Sequence, residues 1–380
     1  MTRRERLMAT LRGEPVDRPP VSFYEINGLD ERPDDPDPFN IFSHPSWQPL
    51  ITLAREKTDL ILMRGVGIAG MMPNPVEGLS TSKSWIEGRT RYTVQTVRAG
   101  SRTLTCRSRR DMDVNTVWSE EHLLKDVADL EAFLDIPAQT FSGTPNVQPI
   151  LDTEARLGDR GIVMIDGPDP LCIAASLFSM ADYTVVALTE PQLFHRILER
   201  YAAMLWPKTE AVARALPGRL WRIYGPEYAS PPYLPPNLFH DYVVPYVKPM
   251  VEAIQRHSGF ARIHSHGRLR EILDHIVATG CVGLDPVEPP PQGDVELRYV
   301  RERYGRRLVL FGNLEASDIE NLTADAFEQK VTRALREGTA GHGRGFVLMP
   351  SACPYGRVLT ACALRNYERM IEVVERTYGR

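Results

Sequence analysis

No stretch of this chain approaches the roughly 18 consecutive apolar residues that a membrane-spanning helix needs. No run of Lys or Arg stands out. The 45 basic and 49 acidic residues leave a formal net charge of −4, so the electrostatic footprint of a nucleic-acid binder is missing. Cysteine is scarce. The five present (Cys106, Cys172, Cys281, Cys353, Cys362) are odd in number and widely spaced, which excludes a disulfide framework. Residues 1–12 carry charges without an apolar signal core, so they do not read as a secretion signal. These absences lead to the expectation of a cytoplasmic protein with reduced thiols, acting away from membranes and nucleic acids. No glycine-rich phosphate fingerprint follows an apolar run, and there is neither an internal repeat nor a low-complexity tract.

What is present is an alternation. Short apolar runs at 21–23, 60–63, 162–165, 220–223, 261–263, 282–284, 308–311 and 346–349 are separated by longer helical patterns at 191–215, 238–257, 268–279, 324–336 and 358–378. Most runs are continuous, as expected for parallel strands covered on both faces. Many of the 31 prolines sit at the ends of these runs and mark strand exits. Alternating strand and helix over this length predicts a (β/α)₈ TIM barrel in one domain spanning residues 1–380. A doubly wound open sheet is the alternative, and the missing phosphate fingerprint tells against it. Two β-rich segments around Ala99-Gly100-Ser101 predict an antiparallel hairpin insertion at 89–111, after the second barrel strand.

Polar residues follow each run. They are Tyr24-Glu25 after the first, Asp166 after the third, and Tyr224 with Glu227-Tyr228 after the fourth. His264-Ser265-His266 follows the fifth, Glu288 the sixth, Asn313 the seventh and Cys353 the eighth. In a parallel barrel these ends converge on one face, where such barrels place their sites. Residues two apart in an extended segment share a side, so both imidazoles of His264 and His266 can face one centre. With Glu288 and Cys353 they make four good zinc ligands from adjacent strand ends. The plain alternative is a hydrogen-bonded histidine pair, an acid on a loop and a core thiol. Glu25, Asp166 and Glu227 are candidate acids or substrate clamps. Tyr24, Tyr224, Tyr228 and Asn313 are candidate substrate contacts.

Several stretches carry a family resemblance. Met1 to Arg6, Gly13-Glu14-Pro15-Val16-Asp17-Arg18-Pro19-Pro20, Phe239 to Tyr246, Gly312-Asn313 and Asn366 to Met370 together resemble the uroporphyrinogen decarboxylase superfamily over essentially the whole chain. The resemblance implies a TIM barrel. True decarboxylases carry an arginine-rich segment after the first strand, and this chain has Tyr24-Glu25-Ile26-Asn27 there. They also use a histidine near the chain end, where Cys353 stands. The chain therefore looks more like the zinc- and corrinoid-dependent methyltransferases. In that branch zinc is held by His-x-Cys, a glutamate one strand later and a cysteine near the end. His264, Glu288 and Cys353 match that pattern, and His266 stands where the branch has cysteine. One fewer thiolate leaves such a zinc centre formally neutral rather than singly negative, hence a stronger Lewis acid suited to an ether or alcohol oxygen.

The expectation is thus a zinc-dependent methyltransferase. It moves a methyl group between a small donor, such as a methyl ether, and a corrinoid protein or a thiol. The competing expectation is a metal-free decarboxylase or lyase acting on a smaller acid, with Asp166 or Glu227 handling protons.

Overall fold

The computed structural model describes residues 1–379. Seven strands lie side by side in sequence order, every neighbouring pair parallel: β1 (Leu60–Arg64), β2 (Gly161–Pro168), β3 (Leu220–Tyr224), β4 (Phe260–His264), β5 (Gly283–Asp285), β6 (Val309–Leu314) and β7 (Gly345–Pro350). Each coincides with one of the apolar runs. Such continuous runs arise because both faces of the sheet are covered.

The run at 21–23 is not a strand. Pro19 and Pro20 offer no N–H to a ladder, and the chain turns at once through Tyr24, whose φ of 60° is left-handed. What remains is one parallel bridge between Val21 and Leu348 of β7. Ser22 N–H donates to the Leu348 carbonyl at 3.0 Å, and Asp59 N–H donates to the Val21 carbonyl at 2.7 Å. Residues 20–22 therefore touch both β7 and the residue before β1, so the sheet is curled until its edges lie either side of this segment. An ionic knot holds the segment in place. Fully buried Asp59 takes Arg6 at 2.6 Å, Arg18 at 2.7 Å and the Val21 N–H at 2.8 Å.

Side chains on the concave face form one apolar cluster that includes Ile61, Met164, Leu220, Phe311 and Val347, plugged by Leu7 and Leu11 from the first helix (Arg3–Arg12). A larger cluster fills the space between the convex face and the helices. The helix Pro191–Ala215 has the predicted limits. The pattern at 238–257 is split into Pro236–Tyr242 and Val244–Arg256, with proline in the first turn of the second. The last helix starts at Ala361 because the Thr360 side chain caps it by accepting from Ala363 N–H. No helix among the described residues is long and apolar enough to cross a membrane.

The predicted hairpin is the middle of a larger element. Thr90–Ala99 and Arg102–Asp111 pair antiparallel around Gly100 and are flanked by Ser80–Glu87 and Val117–Glu121, giving a four-stranded sheet between β1 and β2. The outer strands are mostly exposed and rich in polar residues, so no apolar alternation announces them.

Candidate active site

The inward-facing positions at the C-terminal ends of β2 to β5 carry charges. Asp166 lies opposite Arg222 in register, Arg222 opposite Arg262, and His264 opposite Asp285. Two buried networks result. In the first, Arg222 grips Asp166 with both arms, Nε to Oδ1 at 2.6 Å and Nη2 to Oδ2 at 3.1 Å. Its third arm donates to the Tyr24 hydroxyl. In the second, fully buried Asp285 faces Arg262 Nε at 2.7 Å and His264 Nδ1 at 2.8 Å. Burial works against ionising Asp285, but Arg262 and His264 pull its carboxyl below the usual range. Gly283 makes room for this pair, since a Cβ there would lie 3.2 Å from both Arg262 Cβ and the Phe311 ring.

His266 is the outward member of the histidine pair. Its Nδ1 bonds Glu288 Oε1 at 2.7 Å, and Gly267 N–H donates to Glu288 Oε2 at 2.8 Å. Burial alone would lower the His266 pKa. The hydrogen bond and charge of Glu288 outweigh it and raise the pKa. The His264 and His266 rings are 4.7 Å apart between centres and nearly perpendicular. Each imidazole is therefore anchored through Nδ1 by a carboxylate, leaving Nε2 without that partner. Tyr24 lies roughly parallel to His264 at 6.1 Å.

The other predicted residues are placed differently. The Cys353 thiol donates to Glu25 Oε2 at 3.2 Å. Burial and the Glu25 charge push that thiol well above its ordinary pKa, so it is held protonated. Glu227 Oε2 accepts from Gly225 N–H at 2.9 Å and closes a local turn. The Tyr228 ring meets Tyr183 edge-on at 6.1 Å. Tyr224 lies 5.3 Å from the Arg222 guanidinium. Asn313 lines a small cleft with Asp318 and Lys330.

Four polar residues of this region were not among the sequence candidates: Arg222, Arg262, Asp285 and Glu315. The two arginines lie inside runs 220–223 and 261–263, and a charged residue in the middle of a two-sided buried strand is itself the signal. Glu315 follows β6. Only 6% of it is exposed, Oε2 accepts from Ser351 Oγ at 3.3 Å, and Oε1 is buried with no partner. Burial and the nearby Glu288 charge push its pKa up to about 7. The native protein thus holds a proton here at pH values where the unfolded chain, titrating near 4.5, has released it. Stability falls as pH rises through that window. Glu315→Gln cannot ionise and escapes the penalty. By thermal unfolding it should match the wild type at pH 4 and exceed it at pH 8 by about 2 kcal/mol, allowing for solvent screening. Equal differences at both pH values would contradict this assignment.

The donors do not fit a four-ligand zinc cage. Among the described residues no three His, Cys, Asp or Glu side chains are gathered as a metal site. Both Glu288 oxygens are occupied by His266 and Gly267, and the Cys353 thiol is bonded to Glu25. The two imidazoles fit better, because metal-bound histidines commonly give their other ring nitrogen to a carboxylate.

The fold resembles that of a methyltransferase from Methanosarcina mazei over 100% of this chain and 99% of that one, with a TM-score of 0.61 at 16% identity. A D-psicose 3-epimerase determined in the presence of D-fructose aligns with 61% of this chain and 93% of its own, at 9% identity and a TM-score of 0.33, too low to carry an argument. No curated protein sequence matches the chain. The family model for uroporphyrinogen decarboxylase matches residues 153–377, from the helix before β2 to the last helix, and so takes in the charged strands and both histidines. The chain belongs to the uroporphyrinogen decarboxylase family.

Proposed function

We propose that the protein moves a methyl group between a small donor, such as a methyl ether, and either a corrinoid held by a partner protein or a thiol. Family membership and the whole-length likeness of fold to a methyltransferase support this reading. The observation that carries it is the imidazole pair, each ring fixed through Nδ1 so that Nε2 is left for another partner, at the C-terminal end of β4 where parallel α/β folds bind their ligands. The arginines add support by elimination. Arg222 is held by Asp166, Arg262 by Asp285 and Arg64 by Asp30. A tetrapyrrole with many carboxylates needs free guanidinium forks beside its reacting group, and these three, the arginines of β1, β3 and β4, are already paired.

The residues supply proton chemistry for both directions. When a thiol is the acceptor, His266 Nε2, free of metal, takes its proton as the sulfur–methyl bond forms. When an ether is the donor, Glu315 gives its proton to the leaving oxygen as the carbon–oxygen bond breaks. In the ether direction, where His266 takes no proton, zinc belongs to this proposal through the imidazole pair: the two Nε2 atoms would hold it, and it would polarise a methyl-bearing oxygen as a Lewis acid. Elemental analysis should find zinc lost in His266→Ala and retained in Cys353→Ala. Loss in both variants would return Cys353 to the ligand set. We also read the Val21 bridge as the eighth stave that closes the sheet into a (β/α)₈ barrel, with the whole chain as one domain.

The deciding experiment offers the purified protein methylcobalamin with homocysteine or coenzyme M, and cob(I)alamin with methoxylated donors. Methyl transfer in at least one arm is the expected result, read from the corrinoid absorbance and the methylated product. One observation favours a second reading. A buried acid that holds its proton near neutrality also suits a decarboxylase or lyase, which must protonate a carbanion. Carbon dioxide release from a small acid, with no methyl transfer in any arm, would establish that reading and overturn the first.

A further inference from the structure

The convex side of β1 packs apart from the main cores and lies next to a cleft. Alternate residues of this strand face opposite ways. Ile61 joins the concave-face cluster, while Leu60 and Leu62 are buried with Leu157 in a small cluster of their own. Beside them opens a cleft of about 860 Å³ between the segment around Leu29 to Phe42, the helix Gln148–Leu157 and the inserted sheet. This lies within the usual size range of small-molecule sites. It is separate from the histidine pair, none of whose residues line it.

Five arginines line the cleft: Arg32, Arg64, Arg110, Arg156 and Arg160. Only three acids accompany them, Asp30, Asp35 and Asp37, leaving a local excess of two positive charges on a chain whose net charge is −4. Arg64 is the one arginine of the five in a close ion pair, to Asp30 at 2.6 Å, while Arg32 and Arg110 attract Asp30 and Asp37 only from further off. Arg160 bonds only the Leu157 and Arg156 carbonyls, at 3.2 and 2.6 Å. Arg156 reaches only the Thr153 hydroxyl, at 3.5 Å. Arg110 bonds the Phe39 carbonyl and Asn115, both at 2.9 Å, and its Nε is buried with no acceptor. Elsewhere in the protein arginines meet carboxylates repeatedly, as in Arg219–Glu154 and Arg365–Glu372. Leu62 and Leu157 lie buried beneath the cleft, and the apolar surface it exposes comes from half-buried Phe42 and exposed Leu29. A guanidinium fork without a carboxylate matches the oxygens of a multiply charged anion, and phosphate offers the most such oxygens.

We propose that this cleft binds a phosphorylated small molecule, with the phosphate against Arg110, Arg156 and Arg32 and an aromatic or other apolar group against Phe42 and Leu29. This proposal does not depend on the methyl-transfer reading. Calorimetric titration with AMP, which joins a phosphate to an aromatic base, tests it on the full chain, with inorganic pyrophosphate as a second probe. Saturable binding is expected for at least one of the two. It should weaken at least tenfold in both Arg110→Gln and Arg156→Gln, and stay unchanged in Arg365→Gln on the far C-terminal helix. Thermal unfolding of each variant in the absence of probe checks that it is folded. Arg156 makes so weak an internal contact that its variant should fold whatever happens at Arg110. No saturable binding of either probe overturns the proposal, as does binding that both cleft variants leave unaltered. Binding of polyglutamate alone would also overturn it, and would mark the cleft as a surface for an acidic protein segment.

Discussion

Asp285→Ala should destabilise the protein by about 3–5 kcal/mol, the range for removing one partner of a buried ion pair. Asp285 is fully buried at the end of β5 and stands between two groups that need it, Arg262 Nε at 2.7 Å and His264 Nδ1 at 2.8 Å. Arg262 is itself only 1% exposed. Without the carboxylate its charge keeps the Phe311 ring, 4.6 Å away, as its nearest compensation. A cation–π contact at a desolvated site is worth about 2 kcal/mol, too little to replace a carboxylate that has paid the desolvation of both charges. Chemical denaturation measures the effect. The double variant Asp285→Ala, Arg262→Met should recover much of the loss, because it removes the orphaned charge and fills the space with an apolar chain. A loss below about 1 kcal/mol in the single variant would mean that the pair is solvated and that the concave face is wetter than the burial of both residues implies.

The same network shows where sequence reasoning succeeds and where it stops. Seven strands are legible because two-sided burial demands unbroken apolar runs, and the helix Pro191–Ala215 because amphipathic spacing persists over its whole length. The run at 21–23 has the same apolar character but follows two prolines, and ladder pairing there is reduced to one bridge. Periodicity reports which side chains are apolar, not which donors a segment lacks. The site follows a similar rule. That His264 and His266 are neighbours can be read from their spacing in an extended segment, although β4 itself ends at His264. Which carboxylate each takes depends on how far β5 runs alongside β4, and that register places Asp285, not Glu288, beside His264. Glu25 meets Cys353 because the first segment lies against β7, a contact between residues 328 apart in sequence. The family motifs prove largely structural. Arg18 belongs to the knot on Asp59, and Asn366 ties down the Ile319 and Leu322 carbonyls at 2.9 and 2.8 Å. Such residues identify the fold without reporting the chemistry.

With a thiol as acceptor, His266→Ala should lower kcat/KM by about 10²–10⁴-fold, the usual worth of a positioned proton-transfer group. Of the pair it is the one that reaches solvent. Its side chain is 36% exposed against 7% for His264, so an incoming substrate meets His266 first. Glu288→Gln is the more diagnostic change, with an expected loss of about 10–100-fold, typical of a group that orients another. Glu288 is what raises the His266 pKa against the opposing effect of burial. Removing its charge therefore lowers that pKa. Because the reaction needs neutral Nε2, the acidic limb of the pH profile should move to lower pH in Glu288→Gln, while the maximum rate falls. A merely structural glutamate would reduce the rate at every pH and leave the limb in place. The pH dependence of kcat/KM with whichever methyl donor and acceptor prove active separates the two cases. An unmoved limb in Glu288→Gln, or full activity in His266→Ala, would take the proton-transfer role away from this histidine and leave Glu315 as the remaining proton-holding group beside it.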